Sequence, residues 1–272
     1  MLQGLKIAVV GSGVMGEAMI SGLVQRANVN PRQVVASHPR AERRAELEQR
    51  YGIETTNDNG EALHDADVLL IGLKPQQSGA LRHLHGQLKP RALVVSTVAG
   101  ATLASLADLL GHSAVVRSMP NTPGRIGAGI TVWTSAPEVS AEQRVWAGVV
   151  LGSMGREVYV DDEHYPEMAT ALSGTGPAYT FLVMEAMIDA GVHMGLTRAT
   201  AEELVLHTML GAAQFALQSK RHPTQLRNDV TSSGGTTAAA LYELEKGGLR
   251  TVLSDAIWAA YRRSQELGKR KQ

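Results

Sequence analysis

The sequence predicts two domains: an α/β N-terminal domain with a Rossmann-like, doubly wound sheet, followed by an all-α C-terminal domain. In the first half of the chain, short apolar runs alternate with helical patterns, which is typical of a parallel sheet covered by helices. Helical periodicity dominates from Tyr165 to Leu267. We therefore place the domain boundary after Asp161, which gives domains of residues 1–161 and 162–272.

Composition excludes several classes of function. The chain has 272 residues and a formal net charge of zero, and its basic residues are scattered, which argues against a nucleic-acid partner. It contains no cysteine, which excludes disulfides, thiol nucleophiles and thiolate metal sites. The sequence shows neither a secretory signal pattern nor an apolar window long enough to span a bilayer, so we expect a cytoplasmic protein with no membrane partner.

The chain opens on a strand, a glycine-rich turn and a helix. An apolar run at Leu5–Val10 precedes the motif Gly11-Ser12-Gly13-Val14-Met15-Gly16, and a helical pattern continues to Arg26. Gly11 permits a tight turn, Gly13 the close approach of a pyrophosphate, and Gly16 the packing of the helix against the strand. Glycines also occur in turns that bind no nucleotide, but the flanking strand and helix favour a dinucleotide-binding loop formed by all six residues.

Further strands are predicted at residues 34–36, 68–73, 93–98 and 115–117, with a helix at residues 40–50. In such sheets the ligand lies beyond the carboxyl ends of the strands, so the loops there should line the cofactor. These loops contribute Leu73, Lys74, Pro75, Ala99, Gly100 and Asn121. Lys74 is expected to face the nicotinamide ribose or the substrate, with a solvated strand end as the alternative. Asn57 could reach the adenosine, with turn chemistry as an equal alternative.

The end of the second strand indicates which dinucleotide binds. A dinucleotide without a 2′-phosphate is usually held by an acidic residue about 20 residues after the glycines. That place holds Ser37, His38, Pro39 and Arg40. Ser37 and Arg40 are therefore predicted to bind NADPH through its phosphate, with NADH as a weaker alternative. Arg43 and Arg44 are interpreted as residues of an exposed helix face.

The C-terminal half predicts a dimer. The segment LSGTGPAY at Leu172–Tyr179 places a proline suited to a first helical turn beside glycines. The helix that follows, Phe181–Met194, is apolar nearly all round and must be buried. A domain of about a hundred residues cannot easily cover such a helix. We therefore expect a dimerisation domain that forms a homodimer with interlocked helices, alone or in a ring of dimers.

The segment DVTSSGGTT at Asp229–Thr237 predicts a site for a small anion. Two adjacent glycines let the backbone approach a ligand closely, and the amides of a helix that starts near Thr236 would face a carboxylate. The hydroxyls of Ser232, Thr236 and Thr237 add hydrogen-bond donors. The alternative is a flexible loop that ends in a Ser/Thr helix cap.

Residue spacing argues against the common metal and hydrolase sites. His83 and His85 lie two residues apart in a predicted helix, where they share no face, and the other histidines considered are isolated from one another. No Gly-x-Ser-x-Gly elbow follows a strand. We expect no metal, and redox chemistry must come from a bound cofactor.

Together these motifs resemble the pyrroline-5-carboxylate reductase family over nearly the whole chain. They comprise the glycine motif, Leu73-Lys74-Pro75, VRSMPNTP at 116–123, LSGTGPAY at 172–179, and DVTSSGGTT at 229–237 continuing to Leu241. Thr175 stands where the family usually has serine, and Ser233 where proline is common. The resemblance implies NADPH-dependent reduction of 1-pyrroline-5-carboxylate to L-proline, the last step of proline biosynthesis, by hydride transfer from the nicotinamide to the imine carbon.

The resemblance also implies roles for the C-terminal residues. Thr237, and secondarily Ser232, would be the catalytic residues that hold the imine nitrogen. A threonine hydroxyl is a poor acid, so we assign Thr237 orientation and hydrogen bonding, with solvent or the iminium supplying the proton. The predicted substrate-binding residues are Thr175, Gly234, Gly235, Thr236 and Thr237, with the amides of the three consecutive residues from Gly234 on the carboxylate. The loop would reach a cofactor bound across a domain or subunit boundary.

Two other functions stay open at this stage. The β-hydroxyacid dehydrogenases share this domain plan but need a lysine acid/base on a central helix, and residues 177–194 contain no lysine. A non-catalytic NADPH-binding regulator with a helical dimerisation domain would bind cofactor without turnover. It would leave the hydroxyls beside the glycine pair without a use.

Overall fold

The computed structural model describes residues 1–269, which form two compact units. The first unit comprises Met1–Pro177 and the chain from Ala259 onward, and the second comprises Ala178–Trp258. Every strand of the described chain belongs to the first unit, and the second unit is helical. The predicted boundary between a cofactor domain and a substrate-binding domain, after Asp161, stays a prediction.

A single sheet organises the first unit. Its strands are β1 (Ile7–Val10), β2 (Val34–Ser37), β3 (Glu54–Thr56), β4 (Val68–Ile71), β5 (Leu93–Ser96), β6 (Val115–Met119), β7 (Gly129–Ser135) and β8 (Gly155–Tyr159). They pair in the order β3-β2-β1-β4-β5-β6-β7-β8. The order changes direction between β1 and β4, and the loops that leave such a pair diverge to open a crevice for a ligand.

The helices alternate with these strands and then continue alone. They are α1 (Val14–Ser21), α2 (Ala41–Tyr51), α3 (Asn59–Leu63), α4 (Leu103–Leu110), α5 (Ala141–Gly152), α6 (His164–Ala169), α7 (Gly176–His193), α8 (Arg198–Ser219), α9 (Pro223–Asp229), α10 (Thr236–Lys246) and α11 (Leu249–Lys269). Wider π-helical turns follow α1 at Gly22–Arg26 and α6 at Thr170–Gly174. Within residues 1–269, none of the helices has the length and hydrophobicity needed to cross a membrane.

Both faces of the sheet are buried, which explains the continuous apolar strands in the sequence. Ile7 and Val9 of β1 belong to one hydrophobic core, which also contains Met19 of α1. Ala8 and Val10 belong to the core on the opposite face, together with residues of α4. The prediction of a doubly wound, Rossmann-like sheet followed by helices is confirmed.

The sheet is larger than predicted, and one of its pairings is antiparallel. β7 runs antiparallel to β6 and parallel to β8, whereas the other neighbours are parallel. The sequence analysis missed β7 and β8 because their inward positions are not uniformly apolar. In β7 the buried residues include Gly129, Thr131 and Thr134, which hide the alternation that marks a strand.

Three glycines bring β1, α1 and the end of β4 into backbone contact. A Cβ atom on Gly72 would lie 2.6 Å from the carbonyl oxygen of Gly11 and 2.8 Å from the nitrogen of Gly16. A Cβ atom on Gly16 would collide with the same carbonyl oxygen. Gly11 has a φ of +86°, which side-chain-bearing residues rarely adopt. The junction therefore requires glycine at these positions.

Glu17 is a buried carboxylate of α1 that α2 neutralises. It accepts hydrogen bonds from Arg43 at 2.5 Å, from Arg50 at 2.6 Å and from the hydroxyl of Tyr51 at 3.0 Å. Burial raises the pKa of the Glu17 carboxyl, but the hydrogen bonds from Arg43 and Tyr51 and the two arginine charges outweigh burial, so the pKa lies below its ordinary value. This interaction fixes α1 against α2.

Most α7 side chains are not covered within the chain. Gly191 is the one buried residue among residues 176–193, all of which are described. Large apolar side chains on α7 and α8 are exposed, including Phe181, Leu182 and Leu210. Such a surface is typical of a protein interface.

Replacing Gly72 with alanine should lower the free energy of unfolding by about 1–3 kcal/mol, the usual cost of overpacking a core. The added methyl group has no room beside the Gly11 carbonyl. Chemical denaturation followed by circular dichroism measures the change. Gly79→Ala is the matched control, because a Cβ atom there meets no atom within 4 Å. Equal stability of the two variants would contradict the tight junction.

Replacing Glu17 with glutamine should flatten the dependence of stability on acid pH. The pKa of Glu17 is lower in the folded protein than its ordinary value of 4.5, so the carboxylate contributes stability above that pH. The contribution is lost as the pH falls through the folded pKa. Urea unfolding of the wild type should therefore show a larger loss of stability below pH 4.5 than unfolding of the variant. Parallel pH profiles would refute this expectation.

Candidate active site

The loop after β1 has the geometry expected of a dinucleotide-binding turn. Gly11 adopts its positive φ directly after the strand, and Gly13 is the N-cap residue that precedes α1. Ser12 is fully buried, and its hydroxyl donates to the carbonyl oxygen of Ser37 at 2.8 Å. The side chain of Ser12 therefore holds the loop to β2, and its backbone is the part that lines the turn.

A pyrophosphate fits at this turn. A Cβ atom on Gly13 would meet no atom within 4 Å, so the space above the turn is open. α1 begins at a glycine, which has no side chain to cap the first amides, and such amides bind anions. By contrast, five helices of the described chain have an N-cap residue whose side chain accepts a hydrogen bond from an amide of the first turn. These residues are Asp58 for α3, Thr102 for α4, Ser140 for α5, Thr197 for α8 and His222 for α9.

The two residues that follow Gly13 differ in their surroundings. Val14 is 53% exposed, beside the open space. Met15 is half-buried and packs against the hydrophobic core. Any contact of Met15 with a cofactor would therefore come chiefly from its backbone.

The loop after β4 lies beside the glycine turn, because β4 is the neighbour of β1 in the sheet. Leu73 packs directly on Gly11, where a Cβ atom would lie 2.5 Å from the Leu73 Cδ2 atom. Lys74 is exposed, and Pro75 begins a short helical turn that runs to Leu84. No ion pair of Lys74 occurs with any residue of 1–269, so its ammonium group is free to meet a ligand.

The loops after β5 and β6 follow along the same edge. Ala99 is half-buried, and Gly100 has a φ of +75°. Asn121 accepts a hydrogen bond at its Oδ1 atom from the backbone amide of Ile130 at 3.0 Å, which ties the loop to β7. The predicted cofactor residues of the β1, β4, β5 and β6 loops thus follow strands that are consecutive in the sheet.

The β2–α2 loop concentrates positive charge. Arg40 is exposed and forms no ion pair among the described residues. Nη1 of Arg44 donates to the carbonyl oxygens of His38 at 2.9 Å and Pro39 at 3.1 Å, so its charge also has no carboxylate partner. Burial lowers the pKa of His38, and the charges of the neighbouring arginines, Arg40 first, lower it further. This loop is suited to a phosphate.

Ser37 and Asn57, two predicted cofactor residues, differ in burial and in hydrogen bonding. Ser37 is almost fully buried, and its hydroxyl donates to Oδ1 of Asn59 at 2.7 Å. The Ser37 proton is therefore committed to Asn59 and is not available to a phosphate oxygen, which needs a donor. Asn57 is exposed on the turn after β3, and within residues 1–269 its side chain forms no hydrogen bond.

In the second unit, the loop before α10 forms a tight turn. The carbonyl oxygen of Ser232 accepts from the amide of Gly235 at 3.1 Å, and Gly234 has a φ of +67°. The expectation that the Gly235 amide is free for a carboxylate is therefore corrected. A Cβ atom on Gly235 would collide with the Ser232 hydroxyl, so a side chain at this position would require that hydroxyl to move.

Hydroxyls and amides remain available at the start of α10. The N-cap residue of this helix is Gly235, which has no side chain to cap it. Thr236 and Thr237 occupy its first turn, where backbone amides have no partner within the helix. Within the described chain, the hydroxyls of Ser232, Thr236 and Thr237 form no hydrogen bond. The segment thus presents an uncapped helix start and three free hydroxyls.

Thr175 belongs to the first unit, whereas residues 232–237 belong to the second. Its hydroxyl donates to the carbonyl oxygen of Thr170 at 2.8 Å, and its amide donates to the same oxygen at 2.9 Å. These bonds close the π-helical turn before α7. The Thr175 hydroxyl keeps its lone pairs for a ligand, but its proton is committed.

The sequence analysis missed four residues of the glycine-loop region. Gly72, Glu17 and Arg43 pack on or bind the loop, and Asn59 binds Ser37. A glycine directly after the β4 strand pattern was a visible signal for Gly72. The pairing of Glu17 with Arg43 had no signal at helical spacing, because the two residues lie on different helices.

The comparisons with known proteins agree with this geometry. Residues 163–267 match the family described as pyrroline-5-carboxylate reductase dimerisation, and residues 6–100 match the family described as NADP oxidoreductase coenzyme F420-dependent. Pyrroline-5-carboxylate reductase of Pseudomonas aeruginosa is 43% identical over 266 residues, which cover 97% of this chain and 97% of that protein.

Two solved structures are similar over nearly their full length. The structure of Plasmodium falciparum pyrroline carboxylate reductase with NADP bound has a TM-score of 0.89 and 28% identity, covering 98% of this chain and 99% of its own. That of a pyrroline-5-carboxylate reductase from Coxiella burnetii has a TM-score of 0.88 and 35% identity, covering 97% and 98%. On sequence identity and on fold, the chain belongs to the pyrroline-5-carboxylate reductase family.

Proposed function

We propose that the protein reduces 1-pyrroline-5-carboxylate to L-proline with NADPH, the last step of proline biosynthesis. The observation that carries the proposal is the start of α10, where an uncapped helix and three free hydroxyls follow a glycine turn. A small cyclic imine with a carboxylate matches these groups in charge and size. Family membership makes the protein an NAD(P)H-dependent oxidoreductase.

The cofactor site assigned to this chain is the edge of the sheet at β1. The open space above Gly13 and the uncapped amides of α1 would hold the pyrophosphate. The bound nicotinamide supplies the hydride. Arg40 and Arg44, which lack carboxylate partners among the described residues, support the 2′-phosphate of NADPH over the bare ribose of NADH. NADH would bind more weakly.

The substrate-binding residues assigned to this chain are Thr175 of the first unit and residues 232–237 of the second. The amides at the start of α10 are oriented for a carboxylate, and they replace the Gly235 amide, which the turn consumes. The Thr237 hydroxyl would donate to, or accept from, the imine nitrogen and so orient the electrophilic carbon. Ser232 would support it from the preceding turn. The proton comes from the iminium or solvent, because a threonine hydroxyl is too weak an acid to supply it.

Dimerisation completes the proposal. Residues 163–267 match a family described by dimerisation, and α7 and α8 expose large apolar side chains. We assign a homodimer, alone or within a ring of dimers, with residues 1–161 as the cofactor domain and 162–272 as the substrate and dimerisation domain. The proposed location is the cytoplasm.

Replacing Thr237 with alanine should lower kcat with the cyclic imine by about 10²-fold, the usual effect of losing one hydrogen bond to the reacting centre. NADPH affinity should change little, because the hydroxyl faces the substrate. Spectrophotometric NADPH oxidation and equilibrium binding give the two quantities. Thr237→Ser is the control and should keep most activity, because it keeps the hydroxyl. Equal losses of turnover and NADPH affinity would assign Thr237 a structural role instead.

Replacing Arg40 with alanine should reduce the preference for NADPH over NADH by about tenfold, the effect of one charge-assisted hydrogen bond. The ratio of kcat/KM values for the two cofactors reports the preference. Arg32→Ala is the matched control, because Arg32 is exposed just before β2, at the opposite end of that strand from Arg40. An unchanged ratio in Arg40→Ala would show that another group reads the phosphate.

A further inference from the structure

We propose that Glu17 and Arg43 form a positioning clamp, which holds the carbonyl group of Ser12 and thereby sets the glycine loop for the dinucleotide. Neither residue is assigned to touch the cofactor. The proposal rests on the cofactor site described above, and it gives a role to a buried ion pair that the reaction does not otherwise use.

The clamp begins with the carboxylate. The Glu17 side chain is 6% exposed and lies one residue after the last glycine of the loop. Its Oε2 atom accepts from Arg43 at 2.5 Å, while its Oε1 atom accepts from Arg50 and Tyr51. A carboxylate so close to a phosphate site would repel the ligand unless cations neutralised it. Arg43 supplies that neutralisation from the buried side.

Arg43 is fixed at three points. Its Nη2 atom binds Glu17, its Nη1 atom donates to Glu46 at 2.9 Å, and its Nε atom donates to the Ser12 carbonyl oxygen at 3.3 Å. The planar guanidinium makes the three contacts from three separate nitrogens, whereas a lysine ammonium carries all of its donors on one atom. The two carboxylates therefore determine where Nε points.

Ser12 is consequently held from two directions. Its hydroxyl donates to Ser37, and its carbonyl oxygen accepts from Arg43. In a glycine-rich turn of this kind the pyrophosphate approaches the second glycine, so the orientation of the peptide between Ser12 and Gly13 should affect every dinucleotide. Arg43 should thus influence NADPH and NADH alike, in contrast to a residue that reads the 2′-phosphate.

Arg50 provides a matched control for the clamp. It binds the same carboxylate, at 2.6 Å, but its side chain is 55% exposed and within residues 1–269 it forms no hydrogen bond with the glycine loop. Loss of Arg50 removes one partner of Glu17 and leaves the bond from Arg43 to Ser12. Any effect specific to the loop should appear in Arg43 variants and be absent in Arg50 variants.

The experiment measures equilibrium dissociation constants for NADPH and NADH, by calorimetry, in the wild type and in Arg43→Lys, Arg43→Met, Glu17→Gln and Arg50→Met. Thermal unfolding without cofactor serves as the readout of stability. We expect both Arg43 variants to weaken the two cofactors by the same factor, about tenfold, which corresponds to one hydrogen bond. Arg43→Lys keeps the charge, so its defect isolates the geometry. Arg50→Met should bind both cofactors within about twofold of the wild type.

Several results would overturn the clamp. A loss confined to NADPH in the Arg43 variants would make Arg43 a phosphate reader. Full affinity in Arg43→Lys would show that charge alone matters, and an equal defect in Arg50→Met would show a general effect of stability. If Glu17→Gln does not fold, the Arg43 and Arg50 variants still decide. A wild type that bound neither dinucleotide would instead refute the cofactor site itself, and the clamp with it.

Discussion

The cofactor-binding half depends on the close approach of three backbone segments at Gly11, Gly16 and Gly72. No side chain fits between the β1 turn, the first turn of α1 and the end of β4. This contact brings the start of α1 onto the sheet at the position where the strand order changes direction. The first amides of α1 then remain open to the crevice, because the N-cap residue Gly13 has no side chain to cap them. An anion site follows from the packing of the backbone, before any charged side chain is considered.

Charge is distributed around this site according to which arginines meet carboxylates. Glu17 forms ion pairs with Arg43 and Arg50, and Arg125 lies 3.9 Å from the same carboxylate, so the buried charge is compensated. Removing one partner of such a buried pair is costly, because it leaves an uncompensated charge. Arg40 and Arg44 meet no carboxylate in the part of the chain that the structure describes. Arg43 and Arg50, which pair with Glu17, therefore have a structural role. Arg40 and Arg44, which do not, are available to a phosphate.

The sequence predicted the regular parts of this arrangement and missed the parts that depend on contacts between distant residues. The buried strands β1, β4 and β5 are visible in the sequence as apolar runs, since both faces of the sheet are covered, and β6 is visible only through Val115 and Val116. β7 did not, because Thr131 and Thr134 occupy buried positions. Arg43 was interpreted as a surface residue, but it lies four residues before the buried Leu47 and therefore on the same face of α2. Its partner Glu17 lies on α1, so local spacing in the sequence does not reveal the pair. Likewise, the sequence did not show that the Gly235 amide donates a hydrogen bond to the Ser232 carbonyl oxygen within the turn.

The chemistry of imine reduction is consistent with the weakly acidic, uncharged side chains of the proposed substrate residues. A protonated C=N bond is already electrophilic, so the protein need not supply a strong acid or a metal to accept a hydride. What it must supply is orientation, together with compensation for the substrate carboxylate. An uncapped helix start compensates the carboxylate charge, because its amides are fixed by the helix and lose no side-chain entropy when they bind. Hydroxyl groups provide the orientation. The Thr237 hydroxyl can accept a hydrogen bond from an iminium nitrogen and donate one to an amine nitrogen, and its own charge does not change. Residues 232–237 are therefore suited to a reactant that changes protonation state during the reaction, whereas a lysine at the same place would favour only the neutral nitrogen.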